Sequence, residues 1–202
     1  PEGIKEDVEF IRQATAKMED LLNALLRLSR IGRFDAVPQT LPVKKMVEDC
    51  LKVLGGRLQQ QQVKVAVADV PSQLHGDPTH FGQIWQNLIE NAIKYMGAQA
   101  RPRVEIGAEE RAEGLVFYVR DNGIGIAPEQ QERIFAIFAQ LDPNSEGTGL
   151  GLALVKKIVT TYRGKVWVES TGEGQGSCFC FTLPAALAGA HELPAMANEA
   201  GS

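Results

Sequence analysis

Two glycine-rich islands, Asp121-Asn-Gly-Ile-Gly125 and Gly147-Thr-Gly-Leu-Gly151, constrain this 202-residue chain most. Each stands where one periodicity gives way to another. Leu115-Val-Phe-Tyr-Val119 reads as a strand ending at Arg120-Asp121, so Asp121 falls where strand passes into loop. No strand follows, which disfavours a hairpin. Pro128-Glu-Gln-Gln-Glu-Arg-Ile-Phe135 reads instead as a short helix with Pro near its start. The second island opens a long apolar-periodic run, Leu152, Leu154, Val155, Ile158 and Val159. Glycines that open a helix expose backbone N–H groups at the positive end of its dipole, which favours phosphate. This is not a Walker-type loop, because no Gly-Lys-Ser/Thr follows. Nor is it a dinucleotide fingerprint, because no strand leads directly into the glycines. The bland readings are an ordinary Asp-Asn-Gly turn and a flexible linker before a helix.

A third island, Asn87-Leu-Ile-Glu-Asn-Ala-Ile-Lys-Tyr95, lies about thirty residues upstream of the first. It sits in an amphipathic run, Phe81, Ile84, Trp85, Leu88, Ile89 and Ala92, whose period is helical. Asn87, Asn91, Lys94 and Tyr95 recur at intervals that project them from one region of that helix. An Asn carbonyl is a hard neutral oxygen suited to magnesium, with phosphates and waters completing the octahedron. Lys94 is a point charge for a terminal phosphate. A solvated polar face on a half-buried helix would show the same spacing.

The chain is long enough for one good-sized domain plus an appendage. A formal net charge of −4 gives no basic footprint, so no nucleic-acid partner is expected. No apolar run approaches a membrane span, and no signal-peptide pattern opens the sequence. Cys178 and Cys180 alternate onto one face of a strand pattern and cannot bridge each other without severe distortion, while Cys50 sits in a helical pattern. They read as buried small hydrophobes in a reducing compartment. No His has ligand spacing relative to them, so no Cys/His metal site is expected.

Residues 1–33 carry Ile4, Val8, Ile11, Thr15, Met18, Leu22, Leu25 and Ser29 in three-four alternation, widened by Leu21, Leu26, Leu28 and Ile31. So wide an apolar face on one helix requires partners. Residues 34–41 read as a linker running into a first short strand. A helix pattern then runs to about Gln62, followed by a strand over Val63–Ala68 and a turn at His75-Gly-Asp-Pro78. Further strands are expected near Arg103–Ala108, Leu115–Arg120, Lys165–Ser170 and Ser177–Leu183. Helices on one side of a mixed sheet make an α/β (α+β) two-layer sandwich over residues 42–184, preceded by a long helix. Residues 185–202 read as a disordered tail.

In this order and at this spacing the three islands resemble the N, G1 and G2 boxes of the sensor histidine kinase catalytic domain. Phe135 and Phe138 are similar to its F box. The strands from Gly164-Lys-Val-Trp-Val-Glu-Ser170 to Leu183 resemble those of phytochrome-like kinases. The resemblance implies a Bergerat-type ATP-binding fold with Mg2+ as cofactor. Asn91 is then the direct magnesium ligand, and Asn87 and Lys94 support the metal and phosphates. Asp121 reads the adenine amino group. Tyr95, Gly123, Gly125, Ile126, Phe138, Gly147, Thr148, Gly149, Leu150 and Gly151 complete the ATP site. The stretch after Phe138 looks like a lid over the nucleotide.

Residues 1–33 resemble the second helix of a dimerisation and phosphotransfer domain. By that analogy the chain is a cytoplasmic fragment that forms a homodimer and serves a response-regulator receiver domain. The first helix, with its phosphoacceptor His, is absent, and none of His75, His80 and His191 sits on a dimerisation helix. Two departures from the family pattern stand out. Gln140 occupies the position where many members carry an Arg that reaches the γ-phosphate, and no Lys or Arg lies between Arg133 and Lys156. The lid is also brief. ATPase relatives of the gyrase and chaperone type place a Glu where this chain has Asn87, and Glu90 one turn away is the substitute to consider. The alternatives to a transferring kinase are a degenerate nucleotide-binding dimerisation module and such an ATPase.

Overall fold

The computed structural model describes residues 2–31, 39–68, 70, 73–112, 114–141 and 148–184. The long helix α1 spans Glu2–Arg30 and is followed by β1, Gln39–Pro42. The helix expected to reach Gln62 is two helices, α2 (Val43–Val53) and α3 (Gly55–Gln60). It breaks at Leu54, next to Gly55-Gly56, where two consecutive residues of poor helix propensity remove any penalty for turning. Strands β2 (Lys64–Val67) and β3 (Gln73–Gly76), helix α4 (Pro78–Lys94), and strands β4 (Arg103–Arg111) and β5 (Gly114–Asp121) follow. Helix α5 (Gly151–Thr161), β6 (Val166–Glu169) and β7 (Ser177–Thr182) complete the order.

Five strands form one sheet in the order β2-β4-β5-β7-β6. β2 runs parallel to β4, and the other neighbours are antiparallel. The sheet is therefore mixed, as expected. A small second sheet pairs β1 with β3, with Leu41 opposite Leu74. This corrects two boundaries. Gln39–Leu41 belong to a strand rather than a linker, and Gln73–Gly76 pair in a strand rather than forming only a turn. Both segments are short and polar at alternate positions, so neither shows a period of its own. Pro128–Phe135 is also not one helix. It is two 3-10 turns, Pro128–Gln130 and Arg133–Phe135.

Alternation sorts the strands into two faces. Phe117 and Val119 of β5, with Phe179 and Phe181 of β7, point under the helices. Val116, Tyr118, Cys178 and Cys180 point the other way. Trp85 of α4 drives into the helix side, edge-on to both Phe117 and Phe181, whose rings stack at 5.0 Å. This aromatic wedge fixes which face of α4 is down. Phe81, Ile84, Leu88, Ile89, Ala92 and Ile93 are buried with it. On α1 the stripe residues Val8, Ile11, Met18, Leu22 and Leu26 are exposed, while Ile31 just beyond the helix joins the core. No helix of the described residues is long and apolar enough to cross a membrane.

Candidate functional site

Helix α4 begins at a well-made stop. The Asp77 carboxylate accepts from the Thr79 N–H at 2.7 Å, and Pro78 occupies the first turn, where its missing N–H costs nothing. With the apolar face pinned beneath it, the opposite stripe, Gln83, Gln86, Asn87, Glu90, Asn91 and Lys94, lines a cavity of about 1300 Å³. Asn87 donates back to the Gln83 carbonyl at 2.7 Å, which directs its amide oxygen away from its own helix. Lys94 closes the last turn, with its ammonium 4.6 Å from the Tyr95 ring centre.

Asp121 ends β5, lines the same cavity and is only 8% exposed. One carboxylate oxygen accepts from the Gly123 N–H at 2.8 Å and from the Ser177 N–H at 3.3 Å. The other accepts from the Ser177 hydroxyl at 2.6 Å. Burial pushes its pKa above the ordinary carboxylate value, and these hydrogen bonds offset only part of that rise. A buried carboxylate with lone pairs still facing a cavity is an acceptor poised for an N–H donor.

The glycines hold this wall together. A side chain at Gly123 would strike the Tyr95 carbonyl and the Met96 backbone, so the loop after Asp121 can press against the end of α4. Gly123 itself does not line the cavity; its bareness serves packing. Gly125 lines it and has φ +72, and a Cβ there would run into the Gly172 carbonyl of the neighbouring loop.

The opposite wall is made by Thr148, Gly149, Leu150 and Gly151 at the start of α5, with Ala139, Gln140 and Leu141 beside them. Gly149 has φ +70, and its carbonyl accepts from the Phe138 N–H at 3.1 Å. A Cβ on Gly151 would sit 2.5 Å from the Asn87 amide oxygen, so this glycine lets α5 approach the polar stripe of α4. The two phenylalanines part company here. Phe135 is buried and meets Phe179 edge-on at 6.3 Å. Phe138 is 56% exposed, has φ +64 and does not line the cavity. Gly147 lies outside the described residues, as do positions 142–146.

Asn87, Asn91, Lys94, Tyr95, Asp121, Gly125, Ile126, Thr148, Gly149, Leu150 and Gly151 thus come together around one cavity. Sequence reasoning did not single out Ser177, which orients Asp121, or Arg57 of α3, which with Lys94 gives the cavity its cationic side chains among the described residues. Register could have found Ser177, since it pairs directly with Asp121 across β5 and β7. No pattern marks Arg57. Glu90 lines the cavity and accepts from Gln86 at 2.9 Å.

A cavity of this size beneath a helix with an Asn-rich stripe, closed by a strand-end Asp and two glycine islands, defines a nucleotide-binding α/β sandwich. The chain belongs to the family of histidine kinase-, DNA gyrase B- and HSP90-like ATPases, which it matches over residues 76–187. It is similar to the methanogenesis regulatory histidine kinase FilI of Methanothrix harundinacea, at 40% identity over 90% of this chain and 20% of that protein. It is similar to cyanobacterial phytochrome B of Nostoc, also at 40% identity, over 89% of this chain and 24% of that protein. Among solved structures, full-length ShkA in complex with AMPPNP superposes with a TM-score of 0.73 at 27% identity, covering 89% of this chain and 38% of that one. The chain spans about a fifth to a quarter of the length of the two curated relatives.

Proposed function

We propose that this chain is the Mg-ATP-binding catalytic part of a cytoplasmic sensor histidine kinase. It donates the γ-phosphoryl group of ATP to a histidine carried on a dimerisation helix. The observation that carries this reading is that Asp121 and the Asn87–Asn91–Lys94 stripe line one cavity, in a chain of this family. That a structural neighbour holds AMPPNP supports the choice of nucleotide.

The residues fit such a ligand. Asp121 takes the hydrogen bond of an exocyclic amine at the base end. Gly125 and Ile126 flank the base, and Tyr95 closes that side. Asn91 supplies a neutral oxygen for Mg2+, and Asn87 supports the metal and phosphate shell, held against α5 by the bare Gly151. When bound, the metal neutralises charge on the phosphates. Lys94 and the backbone N–H groups of Thr148–Gly151, with Gly147 by sequence, complete the phosphate end. The remaining work of this chain is positioning the chain of phosphates and excluding water.

His75 and His80 do not suit the acceptor role. His80 is buried in α4 with its ring nitrogen 3.0 Å from the Tyr162 hydroxyl, and His75 lies on β3 beside Thr40. The exposed apolar stripe of α1 supports a homodimer through that helix, and a receiver domain is the onward partner. One observation favours a second reading. Glu90 lines the cavity one turn from Asn87, where a carboxylate can activate water, so slow ATP hydrolysis is the alternative activity.

The test is calorimetric titration with Mg-ADP followed by labelled ATP in the presence of a separate acceptor helix. Binding that is weakened by Asn91→Ala only when Mg2+ is present, with acid-labile label on the acceptor, supports the kinase reading. Unchanged affinity in both Asn91→Ala and Asp121→Asn would remove the site. Phosphate release abolished by Glu90→Gln, with no label on the acceptor, would favour hydrolysis.

A further inference from the structure

The outer face of the sheet carries a second constellation that the nucleotide cavity does not use. Cross-strand register builds it. Cys178 lies between Arg120 on β5 and Glu169 on β6, and Cys180 lies between Tyr118 and Trp167. Directly opposed residues share a face, so all six side chains stand on the side away from the helices. Val116, Tyr118, Cys178 and Cys180 are buried there, packed with Trp167 and apart from the main core beneath the helices. Their cover is a lattice of long polar side chains. Arg111 pairs with Glu169 and Glu109, the Trp167 indole N–H donates to Glu169 at 2.8 Å, and the Tyr118 hydroxyl donates to Glu105 at 2.9 Å.

Under that lattice the two thiols sit 3.7 Å apart, sharing a hydrogen bond. Residues two apart on one strand stand about 6.6 Å apart at Cα, near the upper limit that a disulfide spans, so a bridge between them would be strained. Two thiolates on one tetrahedral ion at a metal–sulfur length of about 2.3 Å stand about 3.8 Å apart, whereas a linear two-coordinate ion would hold them about 4.6 Å apart. The observed separation has the tetrahedral bite. A third donor is at hand: the Cys178 and Cys180 sulfurs and a Glu169 carboxylate oxygen all lie within 4.8 Å of one another. Glu169 Oε1 already accepts from Trp167 and Arg111, while its Oε2 has only a long contact of 3.3 Å from Arg111. Oε2 therefore keeps the greater lone-pair capacity for a further partner.

We propose that Cys178, Cys180 and Glu169 form a site for a thiophilic tetrahedral divalent cation of the Zn2+ class, with water as fourth ligand. Binding replaces the two thiol protons by two metal–sulfur bonds and releases both protons to solvent. Two thiolates and a carboxylate carry one charge more than the ion neutralises, and Arg111 against Glu169 and Arg120 against Cys178 balance it. The site would tie the edge strand β6 to β7. It lies one residue along from Ser177, which holds Asp121 on the opposite face.

The experiment uses the reduced, metal-free chain titrated with Cd2+ as a spectroscopic probe and then with Zn2+ as competitor. One equivalent of Cd2+ should produce a sulfur-to-metal charge-transfer band in the ultraviolet, and Zn2+ should abolish it and raise the melting temperature. Cys50→Ala should keep the band, the pair Cys178→Ala and Cys180→Ala should lose it, and Glu169→Gln should weaken Cd2+ binding about tenfold or more. If the double variant fails to fold, thiol alkylation of the unaltered chain decides the matter, with Zn2+ shielding Cys178 and Cys180 but not Cys50. A folded chain that takes up no Cd2+ at one equivalent, a band that survives in the double variant, or shielding confined to Cys50 would overturn the proposal. An unchanged affinity in Glu169→Gln would overturn the carboxylate's place in it.

Discussion

At Asp121 the cavity wall is sheet. At Ala139–Leu141 and Thr148–Gly151 it is loop and the first turn of a helix. The first wall has its carboxylate buried, three hydrogen bonds on two oxygens, and glycines whose positions are fixed by backbone packed against backbone. The second is preceded by an exposed phenylalanine in the left-handed region, Phe138, and includes a helix start with no side-chain cap. Both walls touch the same space and both reach the hydrophobic core, the second through Leu141, Leu152 and Leu154, yet only the first presents its polar group from a strand paired into the sheet. In the proposed ATP site, recognition of a base calls for a fixed acceptor, and the sheet offers Asp121 for it. Capture and release of a phosphate chain calls for a wall that can be remade at modest cost, and the loop is suited to that.

The sharpest way to break this contrast is the pair of phenylalanines. Phe135→Ala should destabilise the fold by about 3–5 kcal/mol, because it empties a buried position packed on Phe179. Phe138→Ala should change stability by only about 0.5 kcal/mol, since more than half of that side chain is already in water. Denaturant unfolding of both variants measures the difference. Equal losses would mean that the second wall is as much core as the first.

The glycines give the next largest contrast. Gly125→Ala forces a Cβ into the Gly172 carbonyl at φ +72 and should cost about 2 kcal/mol or more of stability. Gly151→Ala meets only the amide end of Asn87, at an ordinary helical position. Its cost should therefore fall on function, as about a tenfold loss of Mg-ADP affinity with thermal stability nearly unchanged. Calorimetry and melting curves on the two variants separate the effects.

The fold and most of the cavity could be read from residues alone because their periods are long and their motifs are local. The Trp85-bearing helix, the β5 pattern and the two islands all carry their signal within a dozen residues. What escaped was non-local or too short. β3 is four residues with one buried apolar side chain, and only its pairing with β1 makes it a strand. Arg57 reaches the cavity through the break at Leu54, which the helical period ran straight through. The carboxylate beside Cys178 and Cys180 comes from the next strand, visible only once register is known.

Asp121→Asn probes the sheet wall directly. The amide can keep its oxygen toward the Gly123 N–H and turn its NH2 toward the Ser177 hydroxyl, so the fold should survive. The acceptor facing the cavity is lost, and ATP affinity should fall about 10- to 100-fold, with less discrimination against a base that lacks the amino group. Sign follows from burial. Because the folded-state pKa of Asp121 is raised, its contribution to the stability of the apo protein is greatest below the unfolded pKa and is lost as pH rises through the folded pKa. An amine donor favours the ionised form, so nucleotide affinity should run the other way, falling as pH drops through the raised value. The Asp121 contribution to both slopes should be missing in Asp121→Asn, as read by the difference from the unaltered chain in melting curves and calorimetry across acid to neutral pH.

Gln140→Arg carries the smallest expected effect and tests the loop wall. Gln140 lines the cavity next to Ala139, and the cationic groups already there among the described residues are Arg57 and Lys94. A guanidinium held rigidly at a transferring phosphoryl group contributes several kcal/mol to the transition state. Position 140 lies in a loop rather than in a helix or strand, so only a fraction of that stabilisation should be realised. Transfer to a separately supplied acceptor helix should rise about three- to tenfold, or about 0.7–1.4 kcal/mol. The comparison is with Lys94→Ala, which removes a cation anchored on the last turn of α4 and should lower transfer by more than Gln140→Arg raises it. If Gln140→Arg has no effect while Lys94→Ala is severe, the rigid helix already supplies the charge and the loop serves closure alone. If Gln140→Arg accelerates transfer a thousandfold, the loop is as well ordered at the moment of reaction as the sheet, and the contrast between the two walls fails where it matters most.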